Sequence, residues 1–218
     1  MSTANAHAER HSPLAHHFRD MAQQFDAAKL GIWIFLCTEI LMFGGLFVGY
    51  IIMHGLYPAM FAQGARWCDW RMGAANTTVL ILSSFFMAAG VHYTQTNQRI
   101  KAIRSMIITI LLGCVFLVIK YFEWRHKFEL GLLPAHFFHY KGAHYANLPM
   151  FFSFYFCMTG LHGIHVIVGM CLIAWVTVRS IRGEFNSEYY TAVETVGLFW
   201  HLVDIIWIFL FPLLYLVG

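Results

Sequence analysis

The sequence has few charged residues. Only 11% of its 218 residues are Asp, Glu, Lys or Arg, whereas soluble domains average roughly 25%. It also has no basic cluster, because its Lys and Arg residues stand mostly in the segments between apolar runs. The first shortage argues against a soluble globular protein, and the second argues against a nucleic-acid-binding protein.

The cysteines include no Cys-x-x-Cys pair. Most of them lie inside apolar runs, where a free cysteine commonly behaves as a small apolar residue. We therefore expect neither a disulfide framework nor a cysteine metal site, and we interpret them as core residues. They are Cys37, Cys68, Cys114, Cys157 and Cys171.

Apolar residues dominate the chain, since 59% of it is hydrophobic and 17% is aromatic. Five runs approach the ~20 residues that a helix needs to cross ~30 Å of hydrocarbon. They cover approximately residues 30–53, 73–94, 103–124, 150–178 and 192–217. The pattern predicts an all-α integral membrane bundle of five transmembrane helices, formed by one domain over residues 30–218 that follows a polar N-terminal tail over residues 1–29.

The flanking charges predict how the chain lies in the membrane. Eight Lys and Arg residues fall in the tail and in the second and fourth connections, and five fall in the other connections. By the positive-inside rule, the N-terminus is cytoplasmic and the C-terminus lies outside. The first apolar run is too long for a signal-peptide core, so we expect it to be an uncleaved anchor.

The tail and the longest connection carry most of the remaining polar residues. Four histidines stand in the tail, and we interpret them as part of a solvated segment rather than as a metal site. The connection over residues 125–149 is expected to lie along the outer surface. The tail histidines are His7, His11, His16 and His17.

Several ionisable residues lie inside apolar runs or at their edges. A charge in hydrocarbon is costly, so each is expected to serve function or to have a partner. At ~1.5 Å per residue, Glu39, His162 and Asp204 fall in the middle third of the bilayer. The candidates are Glu39, Glu123, His162, His165, Glu194, His201 and Asp204.

Spacing within the last run places its polar residues together. Glu194, His201 and Asp204 fall along one helical stripe, which must face protein because lipid would leave these groups unsatisfied. Trp200 and Trp207 are seven residues apart and lie beside this stripe.

The string TGLHGIH has a similar arrangement. His162 and His165 are three residues apart and share a helix face. Gly160, Gly163 and Gly169 are expected to allow a neighbouring helix to approach closely.

Three interpretations of these residues stay open on physical grounds. They could form hydrogen-bonded pairs that hold the helices together. They could form a metal or haem site: Glu123 and His126 give only one of the two Glu-x-x-His motifs that a di-iron bundle needs, whereas His162 or His165 with His201 could bind a haem axially. Finally, a carboxyl at the membrane midplane, such as Glu39, would suit proton transfer.

Five strings in this order resemble subunit III of cytochrome c oxidase, from about residue 30 to residue 218. They are GIWIFLCTEILMFGGLFVGYIIMH with Glu39, NTTVLILSS with Asn76 and Thr77, FLVIKYFEW with Lys120 and Glu123, TGLHGIHVIVG with its two histidines, and VETVGLFWHLVDIIWIFL with Glu194, Trp200, His201, Asp204 and Trp207. Family members with seven helices begin with two more, and this chain starts at what resembles the third.

The resemblance implies a subunit that carries no haem or copper of its own in a proton-pumping haem-copper oxidase. Haem and copper belong to partner subunits, and subunit III supports the stability and proton uptake of subunit I while oxygen is reduced to water. It also implies subunit II and other respiratory subunits as partners, and a multi-pass protein of the bacterial inner membrane.

Two points stay open after the resemblance. Longer family members hold phospholipid in a cleft that the first two helices complete, so a bound phospholipid is an open question here. The equivalent subunit of a quinol oxidase or of a nitric-oxide reductase is the alternative. A proton-coupled transporter is disfavoured because the sequence shows neither internal repeats nor broken helices.

Overall fold

The computed structural model describes residues 18–132, 148–187 and 189–216, and within these ranges it contains helices and no strand. Five helices are long and apolar enough to cross a membrane. This confirms the predicted all-α fold with five membrane spans. The helices are α1 (Met21–Leu56), α2 (Pro58–Ala65), α3 (Trp70–Gln95), α4 (Arg99–Glu129), α5 (Leu148–Arg182) and α6 (Thr191–Phe211), and α6 continues into a π-helical turn at Pro212–Leu216.

Helix α6 lies at the centre of the bundle. It packs against α1, α3 and α5, and α4 closes the other side by packing against α3 and α5. Half of the most apolar stretch of the last span is buried (50%), whereas only 11% of the corresponding stretch of α1 is buried. Helix α1 therefore exposes most of its surface on the outside of the bundle.

Three polar contacts attach α1 to the rest of the bundle at successive depths. Lys29 Nζ lies 3.5 Å from Glu194 Oε1 of α6. Glu39 Oε2 lies 2.9 Å from His165 Nε2 of α5. The Tyr50 hydroxyl donates a hydrogen bond of 2.7 Å to a backbone carbonyl in the π-helical turn.

The start of α1 and the presence of α2 differ from the sequence-based prediction. Helix α1 begins at Met21, because the Asp20 side chain accepts a hydrogen bond from the Gln23 backbone N–H and caps it. Residues 21–29, which the sequence pattern assigns to the tail, are therefore helical. The short helix α2 was not predicted; it starts with Pro58 and packs against α1 and α5.

The interpretation of the cysteines as core residues was wrong for four of them. Only Cys68 is buried, and the four cysteines inside spans are exposed on the surface of the bundle. A lipid-facing position is as apolar as a core position, so a cysteine in a span is compatible with both. Burial raises the pKa of the Cys68 thiol to about 11, which keeps that thiol protonated at neutral pH.

The tail histidines lie outside the described residues, as does most of the longest connection, over residues 133–147.

Candidate functional site: ionisable residues between the helices

Glu39 has a partner on another helix. Its Oε2 lies 2.9 Å from His165 Nε2, and the other ring nitrogen of His165 lies 2.7 Å from the Leu161 backbone oxygen. The two side chains are largely buried, with exposed fractions of 14% for Glu39 and 16% for His165. The rings of Phe43 and Phe199 flank the imidazole.

This geometry restricts the hydrogen bonds that the pair can make. A backbone carbonyl only accepts hydrogen bonds, so His165 Nδ1 must carry a hydrogen. Nε2 then either accepts the proton of a neutral Glu39 carboxyl or, in an imidazolium, donates to a Glu39 carboxylate. In both of these arrangements a single hydrogen lies between His165 Nε2 and the Glu39 carboxyl oxygen.

The second site surrounds the Glu123 carboxylate. This carboxylate accepts hydrogen bonds from Lys127 Nζ (2.9 Å), Lys120 Nζ (3.0 Å), the Tyr155 hydroxyl (2.7 Å) and the Tyr215 hydroxyl (2.8 Å). The three charged side chains are 2–8% exposed. We call these five residues the Glu123 cluster.

The Glu123 cluster joins three segments of the chain. Lys120, Glu123 and Lys127 share one face of α4 because they are three and four residues apart. Tyr155 comes from α5, and Tyr215 comes from the π-helical turn after α6. The cluster contains two lysines and one carboxylate, and Glu123 is its only acidic residue.

The candidate haem-ligating histidines lie in different surroundings. Both nitrogens of His165 already have partners. His162 is fully buried between the rings of Phe116 and Trp207, and neither of its nitrogens has a hydrogen-bond partner among the described residues. His201 Nδ1 lies 2.6 Å from the Ser84 hydroxyl of α3.

The predicted stripe on α6 does not form one network. Glu194 lies near Lys29 of α1, whereas His201 contacts α3. Asp204 is only 3% exposed, and neither of its carboxyl oxygens makes a hydrogen bond to another described residue.

Both tryptophans of α6 bind α3. Trp200 Nε1 donates to the Ser83 hydroxyl at 3.0 Å, and Trp207 Nε1 donates to the Thr77 hydroxyl at 3.1 Å. Asn76 precedes Thr77 and is fully buried, with no hydrogen bond to its side-chain amide within the part of the chain that the structure describes. The two indoles therefore fix the packing of α6 on α3.

The glycines of α5 do not share one role. A Cβ at Gly169 would lie 2.7 Å from Trp200 Cε3, and one at Gly160 would lie 3.3 Å from Trp124. At Gly163 a Cβ would meet no atom of the neighbouring described helices within 4 Å, so the close approach expected there is not found. Helical spacing alone does not tell which face of a membrane helix meets protein.

The Glu-x-x-His motif does not bring its two residues together in the interior. Glu123 is buried, whereas His126 is exposed. Within residues 18–132, 148–187 and 189–216, no group of three or more His, Cys, Asp and Glu side chains is placed to hold a metal ion.

Most of the hydrogen-bond partners of these ionisable residues were not predicted from the sequence. Lys120 and Lys127 could have been assigned to Glu123 from their spacing on α4. Tyr155 and Tyr215 could not, because only the packing of α5 and α6 places them there. The same holds for the contact of His165 with Glu39.

The fold and these sites define a multi-pass membrane protein in which several ionisable side chains form contacts between neighbouring helices. The chain matches the family model described as cytochrome c oxidase subunit III over residues 15–218. The chain belongs to the cytochrome c oxidase subunit III family, and is thus a haem-copper oxidase subunit III in a bacterial membrane.

Three relatives illustrate the range of the family. Cytochrome c oxidase subunit 3 of Thermostichus vulcanus is 34% identical over 196 residues, which cover 88% of each chain. A probable quinol oxidase subunit 3 of Staphylococcus haemolyticus is 28% identical over 194 residues, covering 87% of this chain and 89% of the relative. A haem-copper oxidase subunit I+III of Aeropyrum pernix is 25% identical over 199 residues, covering 88% of this chain and 23% of that longer protein.

Proposed function

We propose that this chain is a subunit of a cytochrome c oxidase that holds no redox centre, stabilises the catalytic subunit in the membrane and supports its proton uptake. The observation that carries the proposal is the Glu39–His165 pair, a carboxyl and an imidazole that are largely buried and hydrogen-bonded to each other between two membrane helices. Haem and copper would reside in partner subunits, with subunit I as the main contact and subunit II and other respiratory subunits nearby.

The assignment to cytochrome c as electron donor is supported by degree of similarity. One relative named as a cytochrome c oxidase subunit is 34% identical, and two relatives named as probable quinol oxidase subunits are 28% and 30% identical. The subunit of a quinol oxidase or of a nitric-oxide reductase is the second candidate. Both candidates have the same membrane fold. The difference between them therefore lies in the other subunits of the complex rather than in this chain.

The charges of the connections support a cytoplasmic N-terminus and an external C-terminus. Sequence position alone places Lys127 among the external charges. Lys127 instead lies buried in the Glu123 cluster, where it binds a carboxylate rather than flanking the membrane. Omitting it increases the excess of basic residues on the proposed cytoplasmic side.

We predict that the chain, purified from the other subunits, binds no redox cofactor. Neither nitrogen of His165 is available, and the described residues offer no group of three metal ligands. A visible absorption spectrum and metal analysis test this prediction. Stoichiometric haem, copper or iron would contradict it.

A second prediction tests the proton role. In Glu39→Gln, the amide can still donate a hydrogen bond to His165 Nε2, but it cannot release a proton. We expect the oxidase to assemble and to turn over several-fold more slowly at alkaline pH, where protons are scarce, with a smaller effect at neutral pH. The measurement is oxygen consumption of the purified complex across pH.

The matched control is Glu194→Gln, which removes a carboxylate from the same chain at a more exposed ion pair. It should leave the pH profile unchanged. A hydrophobic carbodiimide, which modifies protonated carboxyls, should label Glu39 and not Glu194. If the assembled Glu39→Gln oxidase keeps the pH dependence of the unmodified enzyme, Glu39 has only a structural role.

A further inference from the structure

A small polar pocket opens at the end of the bundle where α3 connects to α4 and where α5 ends. It encloses about 220 Å³. Helix α4 begins at Arg99 and α5 ends at Arg182, so the pocket lies at one surface of the membrane. We call it the Arg99 pocket, and its lining residues include Asn97, Arg99, Ser180 and Gly183.

The guanidinium of Arg99 is fixed beside this pocket. Its Nε donates a hydrogen bond of 2.8 Å to the Ser180 backbone oxygen, and its Nη2 donates to the Ile181 backbone oxygen. These bonds satisfy two carbonyl groups at the end of α5, which would otherwise repel an anion. Nη1 lies beside Gly183, where an added Cβ would be 3.1 Å from it, and it makes no hydrogen bond to another described residue. The two N–H groups of Nη1 are therefore available to a ligand of the pocket.

Two further features prepare the pocket for a hydrogen-bonding ligand. Ser180 is only 4% exposed, and its hydroxyl has no hydrogen-bond partner among the described residues. Because an unpartnered hydroxyl is costly when it is buried, an acceptor on a ligand would stabilise it. The wall is held in place by Asn97, whose amide donates to the Ser187 hydroxyl at 3.0 Å and accepts from the Ser187 backbone N–H at 2.8 Å.

The charges around the Arg99 pocket favour an anion. Lys101 and Arg104 are exposed in the first two turns of α4 and form no ion pair with the described residues. Residues 70–122 contain no Asp or Glu, and the carboxylate of Glu184 is bound to Arg179 at 2.6 Å. A guanidinium with free N–H groups suits a phosphate, because phosphate oxygens accept charge-assisted hydrogen bonds.

The position of the pocket indicates a lipid as the source of the phosphate. Ile100 and Ile181 are next to Arg99 and Ser180 in the sequence, and they are 67% and 52% exposed. Apolar side chains that are exposed at the end of a membrane span face acyl chains, and lipid headgroups lie at the adjoining membrane surface. A phospholipid can contact the pocket with its phosphate and the isoleucines with its acyl chains, whereas a soluble anion contacts the pocket alone.

We propose that the Arg99 pocket binds the phosphate group of an anionic phospholipid. Arg99 Nη1 and the Ser180 hydroxyl donate hydrogen bonds to the phosphate oxygens, and the exposed basic residues of α4 attract the negative headgroup. The described lining residues come from α3, α4, α5 and the adjoining connections, so the site is separate from the Glu39–His165 pair. Its occupancy does not depend on the electron donor or on the proton role of Glu39.

Photolabelling of the assembled oxidase in lipid nanodiscs tests the pocket. The two probes are phosphatidylglycerol and phosphatidylcholine, each with a diazirine close to its phosphate. Phosphatidylcholine has the same phosphate but carries a positive choline, which the basic residues disfavour. The phosphatidylglycerol probe should label peptides that contain residues 97–102 and 180–185 several-fold more strongly than the phosphatidylcholine probe. Equal labelling of the unmodified complex by the two probes would overturn the proposal, whatever any variant does.

Substitution of Arg99 tests the residue. Arg99→Gln removes a charge-assisted hydrogen bond to the phosphate, so labelling of these peptides by the phosphatidylglycerol probe should fall about tenfold. Arg104→Gln is the matched control, because it removes the same charge near the same end of α4 from a residue that does not line the pocket. This control should keep most of the labelling. Equal losses in the two variants would mean that diffuse positive charge alone attracts the lipid, and would overturn the pocket as the site.

Inorganic phosphate distinguishes a lipid from a soluble anion as the ligand. Added phosphate should reduce labelling by the phosphatidylglycerol probe no more than chloride does at the same ionic strength, because contacts of the acyl chains also hold the lipid. Loss of the label with phosphate but not with chloride would show that the pocket binds a soluble anion, and would overturn the assignment to a lipid. An unaltered pH profile in Glu39→Gln would refute the proton role and leave the Arg99 pocket in place.

Discussion

Replacing Glu123 with glutamine should strongly destabilise the subunit. The change leaves Lys120 and Lys127 buried without their carboxylate, and removing one partner of a buried ion pair costs about 3–5 kcal/mol. The cost is high because both lysine side chains are buried, so solvent stabilises their unpaired charges poorly. The effect is measured by heating the purified complex and recording the temperature at which this subunit is lost from it.

The matched control lies on the same helix. Glu129→Gln removes a carboxylate that pairs with Arg125 at an exposed position, with exposed fractions of 59% and 61% for the two side chains. Solvent screens such a pair, so this variant should behave like the unmodified protein. Equal stability of the two variants would show that the Glu123 cluster does not hold α4, α5 and the last span together.

Replacing Gly169 with alanine should also cause a large loss. The added Cβ would lie 2.7 Å from Trp200 Cε3 and 2.9 Å from Cζ3. Trp200 is fully buried and its indole N–H binds the Ser83 hydroxyl, so the ring cannot move aside without breaking this bond. Overpacking of this kind costs about 1–3 kcal/mol, and the same heating experiment measures it.

Gly163→Ala is the control on the same helix. No atom of another described helix lies within 4 Å of its added Cβ, and alanine favours a helix over glycine by about 1 kcal/mol. We therefore expect unchanged or slightly higher stability. A loss of stability as large as that of Gly169→Ala would mean that the backbone freedom of glycine, rather than contact with Trp200, explains the effect of replacing Gly169.

The five spans could be predicted because the length of an apolar run is a local property of the sequence. The helix end at Met21 could not, because the cap at Asp20 lies within a polar segment that lacks an apolar pattern. Helix α2 was missed for a similar reason, since it is too short to show a period. The prediction that polar residues face protein was based only on the free-energy cost of exposing polar groups to lipid.

The partners of these residues depend on how the helices are arranged, which no local pattern specifies. Glu39 has no basic residue within a helical turn, and its partner, His165, is 126 residues away. For Asp204, the chain itself supplies no hydrogen bond among the described residues. An apolar helix face has the same sequence pattern whether it meets lipid or protein. For this reason the surroundings of the cysteines inside spans and of Gly163 were predicted wrongly.

The attachment of α1 has a consequence for biosynthesis. The three polar contacts described above are made with α5, with α6 or with the turn after α6, so each of these contacting groups is synthesised well after α1 itself. At roughly 5–20 residues per second, the 126 residues between Glu39 and His165 require roughly 6–25 seconds of translation. During that interval Glu39 lies in a newly inserted helix without its histidine, and the membrane insertion machinery must accommodate a carboxyl that the finished bundle later satisfies.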